Sequence, residues 1–168
     1  EQIPDNPTDL LVLPYFTPSG TPYFDTVTKG AVMGLRLTTS RHEILKALLE
    51  GVLLEMKLNL DLLSESGIKI NKLIVTGGGA GNLKWLQLKA DVLNRPIVKK
   101  DIEETGCFGA AMLAFSADAG VGVNKIKYER NERRIIPDPE KAEIYEKKFD
   151  NYKKMYPVIR ELYENFKN

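Results

Sequence analysis

Cysteine and histidine are nearly absent from this chain: Cys107 and His42 are its only examples. A lone cysteine has no intramolecular disulfide partner, and one residue of each type cannot assemble a Cys/His metal centre. An excess of one charge is missing too, since 24 Lys and Arg face 23 Asp and Glu, a formal net charge of +1. That balance lacks the basic surplus that holds a phosphate backbone, so no nucleic-acid partner is expected. No apolar run approaches the roughly 20 residues a membrane helix needs, and no secretory leader pattern is present, so no membrane association is expected. With the unpaired thiol, these absences point to a reducing, cytoplasmic setting.

What remains is a chain of 168 residues with an ordinary 43% hydrophobic content, enough for one core. Residues 1–9 are polar, do not start with methionine and lead straight into an apolar strand, the pattern expected of a cut inside a longer chain. The spacing predicts strands over 10–16 and 30–37, then a long helix opened by the Ser40/Glu43 capping box and stopped at Gly67. Glu50 and Glu55 are expected on the polar face of that helix, and His42 is given no role. Further strands are predicted at 72–76 and 96–99, with helices at 83–93 and 102–119, the second capped by Asp101 with Glu104 and stopped by Gly120. Asp138 and Pro139 open a last helical segment over 138–168, which Pro157 is expected to break or kink. Strands alternating with helices predict an α/β domain.

One segment carries a chemical signal. Val75-Thr76-Gly77-Gly78-Gly79-Ala80-Gly81-Asn82 lies between a predicted strand and a predicted helix. Its glycines clear side chains from the turn, so a planar or anionic ligand can approach the main chain. The helix start beyond it offers unpaired N–H groups and partial positive charge, which favour phosphate. Asn82 can cap that helix or turn its amide to a ligand. The segment lacks the Lys and Ser/Thr of a P-loop, and no acidic residue stands where the dinucleotide fingerprint needs one. A plain connecting turn is the competing reading.

Several ordered segments together are similar to the C-terminal domain of FGGY carbohydrate kinases. Gly30, Val32, Gly34 and Leu35, followed by Glu43, Ile44, Ala47, Leu49 and Glu50, resemble the family signature, with Leu48 bulkier than the usual residue. Gly77 to Asn82, Trp85 and Ala90-Asp91-Val92-Leu93 resemble its triple-glycine motif and following helix, although relatives often carry Lys-Ser where Gly81-Asn82 stand. Thr105-Gly106-Cys107-Phe108-Gly109-Ala110-Ala111 resembles the helix that packs behind the adenosine site, and Pro22-Tyr23-Phe24-Asp25 a Pro-Tyr-Trp-Asp turn. Residues 138–157 are similar to the closing helix of the xylulose kinase branch.

The resemblance implies a ribonuclease-H-like, actin/hexokinase-type α/β domain, with residues 1–168 forming the C-terminal part of a two-domain kinase truncated on its N-terminal side. It implies ATP and Mg²⁺ as cofactors, with Gly77, Gly78, Gly79 and Asn82 contacting the nucleotide. It further implies that the sugar, ketose or polyol substrate is bound mainly by a first domain, which also supplies the catalytic carboxylate, so this chain carries no catalytic residue and no metal ligand. Alone it is expected to be inactive, and a homodimer is one expected state. Gly106 and Gly109, three apart on a helix, fit close helix packing better than ligand contact. Trp85 fits the core better than a purine stack, and Asp25 a cap better than a metal. The alternatives are a non-catalytic actin-type nucleotide-binding domain and an interaction module whose last helices dock a partner.

Overall fold

The structure, a computed structural model, describes residues 3–100, 102, 104–126 and 131–165. β1 (Leu11–Leu13) pairs antiparallel with β2 (Ala31–Met33), Leu13 lying opposite Ala31. Both strands are shorter than the apolar runs predicted, because the chain leaves the pairing at Pro14 on one side and at Gly34, with φ 91°, on the other. The long helix α1 (Arg41–Glu65) starts on the expected box: Ser40 Oγ accepts from Glu43 N–H at 3.2 Å while Glu43 Oε2 accepts from Ser40 N–H at 2.8 Å. It stops where Gly67 takes φ 92°.

A second sheet has the order β3-β4-β5. β3 (Leu73–Val75) runs parallel to β4 (Ile97–Lys100), and the helix between them is α2 (Leu83–Leu93). β5 (Glu132–Ile135) adds antiparallel, with Lys100 opposite Glu132 and Ile97 opposite Ile135. No strand is expected there from the sequence, since Glu132, Arg133 and Arg134 break any apolar alternation. α3 (Thr105–Ala119) follows β4 and ends at Gly120, φ 63°. It begins later than predicted, and Glu104 holds the cap position without a side-chain hydrogen bond. The partner expected for that cap, Asp101, lies outside the described residues.

The last helix, α4 (Pro139–Asn165), opens as predicted, with Asp138 Oδ1 accepting from Glu140 N–H at 3.0 Å. Of the break or kink expected at Pro157, the break does not occur: the helix runs on through it. The proline ring is exposed and removes one hydrogen bond, whereas Tyr152, Met155 and Tyr156 just before it are buried and hold the backbone in register.

The main core joins β1, α1, α2 and α4 through Leu13, Leu53, Leu54, Leu88, Val92, Tyr145, Phe149 and Tyr152. α1 presses onto β1 so closely that a Cβ on Gly51 would stand 2.6 Å from the Val12 carbonyl oxygen. A smaller cluster of Leu86, Ala90, Ile97 and Ile135 fixes α2 onto the second sheet.

Glu50 and Glu55 overturn the expectation of a polar face. Glu50 is 0% exposed, and its carboxylate takes the Tyr145 hydroxyl at 2.8 Å, the Thr8 hydroxyl at 2.7 Å and the Lys148 ammonium at 2.5 Å. Glu55 accepts from the hydroxyls of Tyr15 and Tyr152. A charge among apolar residues folds inward when partners arrive from distant elements to satisfy it. Here they come from the N-terminal segment, from Tyr15 just after β1 and from α4.

Candidate functional site

The two parallel strands end on the same side of the sheet, and β3 delivers the chain into the glycine bend there. Gly77 takes φ 79° and ψ −173°, a conformation that side-chain-bearing residues avoid. Gly78–Ala80 then forms one 3-10 turn, closed by Ala80 N–H to the Gly77 carbonyl at 2.9 Å and Gly81 N–H to that of Gly78 at 3.2 Å. Space beside the bend is open: a Cβ on Gly77, Gly78 or Gly79 would meet nothing within 4 Å. Ala80 is the residue of the turn that points inward, 4% exposed.

Asn82 caps α2, its Oδ1 accepting from the Trp85 N–H at 3.1 Å. The oxygen is thereby committed to the helix, which leaves the amide NH₂ as the group to offer a ligand. The four residues singled out in the sequence therefore share one solvent-facing bend at a helix start.

Asn82 also stands on the rim of a cavity of about 630 Å³ between the starts of α1 and α2, a volume in the range of small-molecule sites. The glycines do not line it. Its walls include Leu49, Trp85 and Leu88, and Lys46 and Lys84 bring positive charge. Lys46 is 4% exposed and donates to the Pro4 carbonyl at 2.8 Å; burial, partly offset by Glu50, pulls its pKa down. Trp85 packs partly into the main core, as expected, and carries the Lys89 ammonium 5.0 Å from its ring centroid. Lys46 is not singled out by its sequence. Its one signal there is a cation set between Leu45 and Ala47 in the apolar run of α1.

Other candidates fall elsewhere. Asp25 behaves as a local cap: Oδ1 accepts from the N–H groups of Val27 at 2.6 Å and Thr28 at 3.1 Å, and Oδ2 from the Tyr156 hydroxyl at 3.0 Å. A Cβ placed on Gly106 or Gly109 would have no atom within 4 Å, so no helix packs closely on them among the described residues. Among the described residues no group of three or more His, Cys, Asp or Glu gathers to hold a metal ion. Nor, among them, is any helix long and apolar enough to cross a membrane.

This architecture defines a class, the ribonuclease-H-like α/β domain of actin and hexokinase type. Within that class the chain belongs to the FGGY family of carbohydrate kinases: residues 2–117 match the model of its C-terminal domain. The xylulose kinase of Bacillus subtilis (strain 168) is 30% identical over 165 residues, covering 96% of this chain and 33% of the relative. The glycerol kinase of Clostridium beijerinckii is 34% identical over 149 residues, 88% of this chain and 29% of the relative. The crystal structure of a xyloylose kinase from Brucella ovis superposes with a TM-score of 0.84 at 31% identity, covering 96% of this chain and 34% of that one. The chain thus spans about a third of the length of the kinases it matches.

Proposed function

We propose that the intact protein transfers the γ-phosphoryl group of ATP to a hydroxyl of a small sugar, ketose or polyol, and that this chain supplies Gly77, Gly78, Gly79 and Asn82 to the ATP/ADP site. The observation that carries the reading is the open, side-chain-free bend that feeds a capped helix in a chain of this family. Main-chain N–H groups at the bend and the positive end of α2 suit the nucleotide's phosphates or the edge of its base. The Asn82 amide adds a directed donor. Phosphoryl transfer is chiefly positioning and charge stabilisation, so a domain that fixes the nucleotide contributes to rate without a reacting side chain of its own.

The proton of the acceptor hydroxyl goes to a carboxylate outside this chain, in the part that also holds most of the sugar. Mg²⁺ arrives with the nucleotide phosphates. Such a metal neutralises charge on the transferring group. The exposed Cys107 thiol fits a reducing cytoplasm, where ATP is also supplied.

Asn82 separates capping from ligand contact in the decisive experiment. Asn82→Ser retains a side-chain oxygen for the cap and removes the amide donor; Asn82→Asp does the same and adds a charge that repels phosphate. ADP binding to the chain, followed by calorimetry, is expected to weaken by roughly five- to tenfold in the serine variant and further in the aspartate variant. Gly78→Val should abolish it by filling the bend. ADP affinity unchanged in all three overturns the site.

A further inference from the structure

The cavity between α1 and α2 is lined by more positive charge than its own carboxylates neutralise. It runs along one face of α2, where Lys84, Gln87, Leu88 and Asp91 recur at helical spacing, and α1 contributes Lys46 and Leu49. Lys141, in the first turn of α4, adds a third ammonium, and the carboxylates of Asp5 and Asp91 line the same space. Asp5 stands 3.6 Å from the Lys84 ammonium. Asp91, 3% exposed, accepts from the Gln87 amide at 2.8 Å and from the Asp138 N–H at 2.8 Å. Three ammoniums against two carboxylates leave one positive charge over.

Lys46 is where that surplus costs most, because its side chain is almost wholly out of water. Its ammonium has three N–H donors, of which two go to the main-chain carbonyls of Pro4 at 2.8 Å and Asp5 at 3.4 Å. No carboxylate stands within ion-pairing distance of it among the described residues, and Glu50, one turn on, is committed to Thr8, Tyr145 and Lys148. Burial presses the Lys46 pKa down; Glu50, Asp5 and Asp91 oppose that, and the Lys141 ammonium adds to it. A cation held this way gains from any counter-charge brought into the space beside it.

We propose that this cavity binds a small monocarboxylate with an apolar body, its carboxylate lying between the Lys46 and Lys141 ammoniums and its body against Leu49, Trp85 and Leu88. One negative charge neutralises the surplus, whereas a phosphate ester, at about −1.5 to −2, overshoots it. The apolar wall, and the volume of about 630 Å³, suit an organic acid better than a bare anion. A nucleotide does not answer the same description. It carries several negative charges, and the glycines that suit its phosphates do not line the cavity. The proposal is therefore independent of the nucleotide reading and goes beyond it.

Trp85 is the chain's single tryptophan and stands in the cavity wall, so its fluorescence reports directly on occupancy. Phenylbutyrate is titrated into the 168-residue chain, with phenylbutyramide as its uncharged twin and inorganic phosphate as the bare anion. The acid is expected to shift the emission saturably at millimolar concentration or below, the amide to bind about tenfold or more weakly, and phosphate to leave the emission unchanged. Lys46→Met, which keeps an unbranched apolar stem, and Lys141→Gln, at a half-buried position, should each weaken the acid by about five- to tenfold. Circular dichroism checks that both variants fold; should Lys46→Met not fold, Lys141→Gln decides. Saturating ADP, and separately Gly78→Val, should alter the affinity for the acid by less than about twofold. The proposal is overturned by the absence of a saturable response, by acid and amide binding alike, by phosphate matching the acid, or by full affinity in Lys141→Gln. Displacement of the acid by ADP also overturns it, since the cavity would then belong to the nucleotide.

Discussion

At Glu50 a charge is held entirely out of water by groups that the chain brings from far away: Lys148 is 98 positions distant and Tyr145 is 95. Removing one partner of such a pair leaves the other buried and unmatched, which costs about 3–5 kcal/mol. Lys148→Ala and Glu50→Ala should each lower the unfolding free energy measured in urea by that order, and Glu50→Met combined with Lys148→Met should cost clearly less than the sum of the single changes. A full sum would show that the two side chains act separately. No local pattern reveals this pairing, because periodicity sees only a carboxylate on a helix. Gly51, the next residue, is a second case. Alanine there would gain up to about 1 kcal/mol in helix propensity, but its Cβ would meet the Val12 carbonyl oxygen at 2.6 Å. Backbone cannot move aside cheaply, so Gly51→Ala is expected to destabilise by about 1–3 kcal/mol, measured by thermal unfolding.

Between elements, the loop over residues 16–28 is tied to α4 through Asp25 and an aromatic stack. Tyr23 lies on Tyr156 with ring centroids 3.6 Å apart, and the Asp25 carboxylate takes the hydroxyls of Thr28 and Tyr156. The Thr28 hydroxyl first, then the Val27 and Thr28 amides and the Tyr156 hydroxyl, hold the Asp25 carboxyl well below its ordinary pKa of 3.8. A folded-state value below the unfolded one means that stability is present above about pH 4 and is lost as pH falls through the folded value. Asp25→Asn should therefore show a shallower loss of melting temperature below about pH 4 than the parent. Glu55 works in the opposite sense. Burial raises its pKa above 4.5 against the two tyrosine hydroxyls, so its contribution is full below that value and lost as pH rises through the folded one. The capping residues that start α1, α2 and α4 are legible in the sequence because a cap acts within three residues. β5 is not, because an edge strand that pairs Glu132 with Lys100 draws its stability from β4 and needs no apolar alternation.

Over the whole molecule, the family match ends at residue 117, but the core does not. Five of the eleven buried residues in the main cluster, Tyr145, Phe149, Tyr152, Met155 and Tyr156, belong to α4. The sequence shows a charged helix there and a glycine motif elsewhere, and the eye goes to the motif. The tyrosines are hidden among Lys and Glu, and only the fold shows that they close over β1, α1 and α2. The bend at Gly77–Asn82 is legible because glycines and a cap act locally. The cavity beside it is not, since Lys46 and Trp85 line it from two different helices. α4 is thus as much a part of the domain as the segments that identify the family. Ending the chain at Asp138 should abolish cooperative unfolding, whereas Phe149→Ala should retain it and lower stability by about 3–5 kcal/mol. A truncated chain that still melts in one sharp transition near the parent temperature would mean that β1, α1 and α2 form a core without α4.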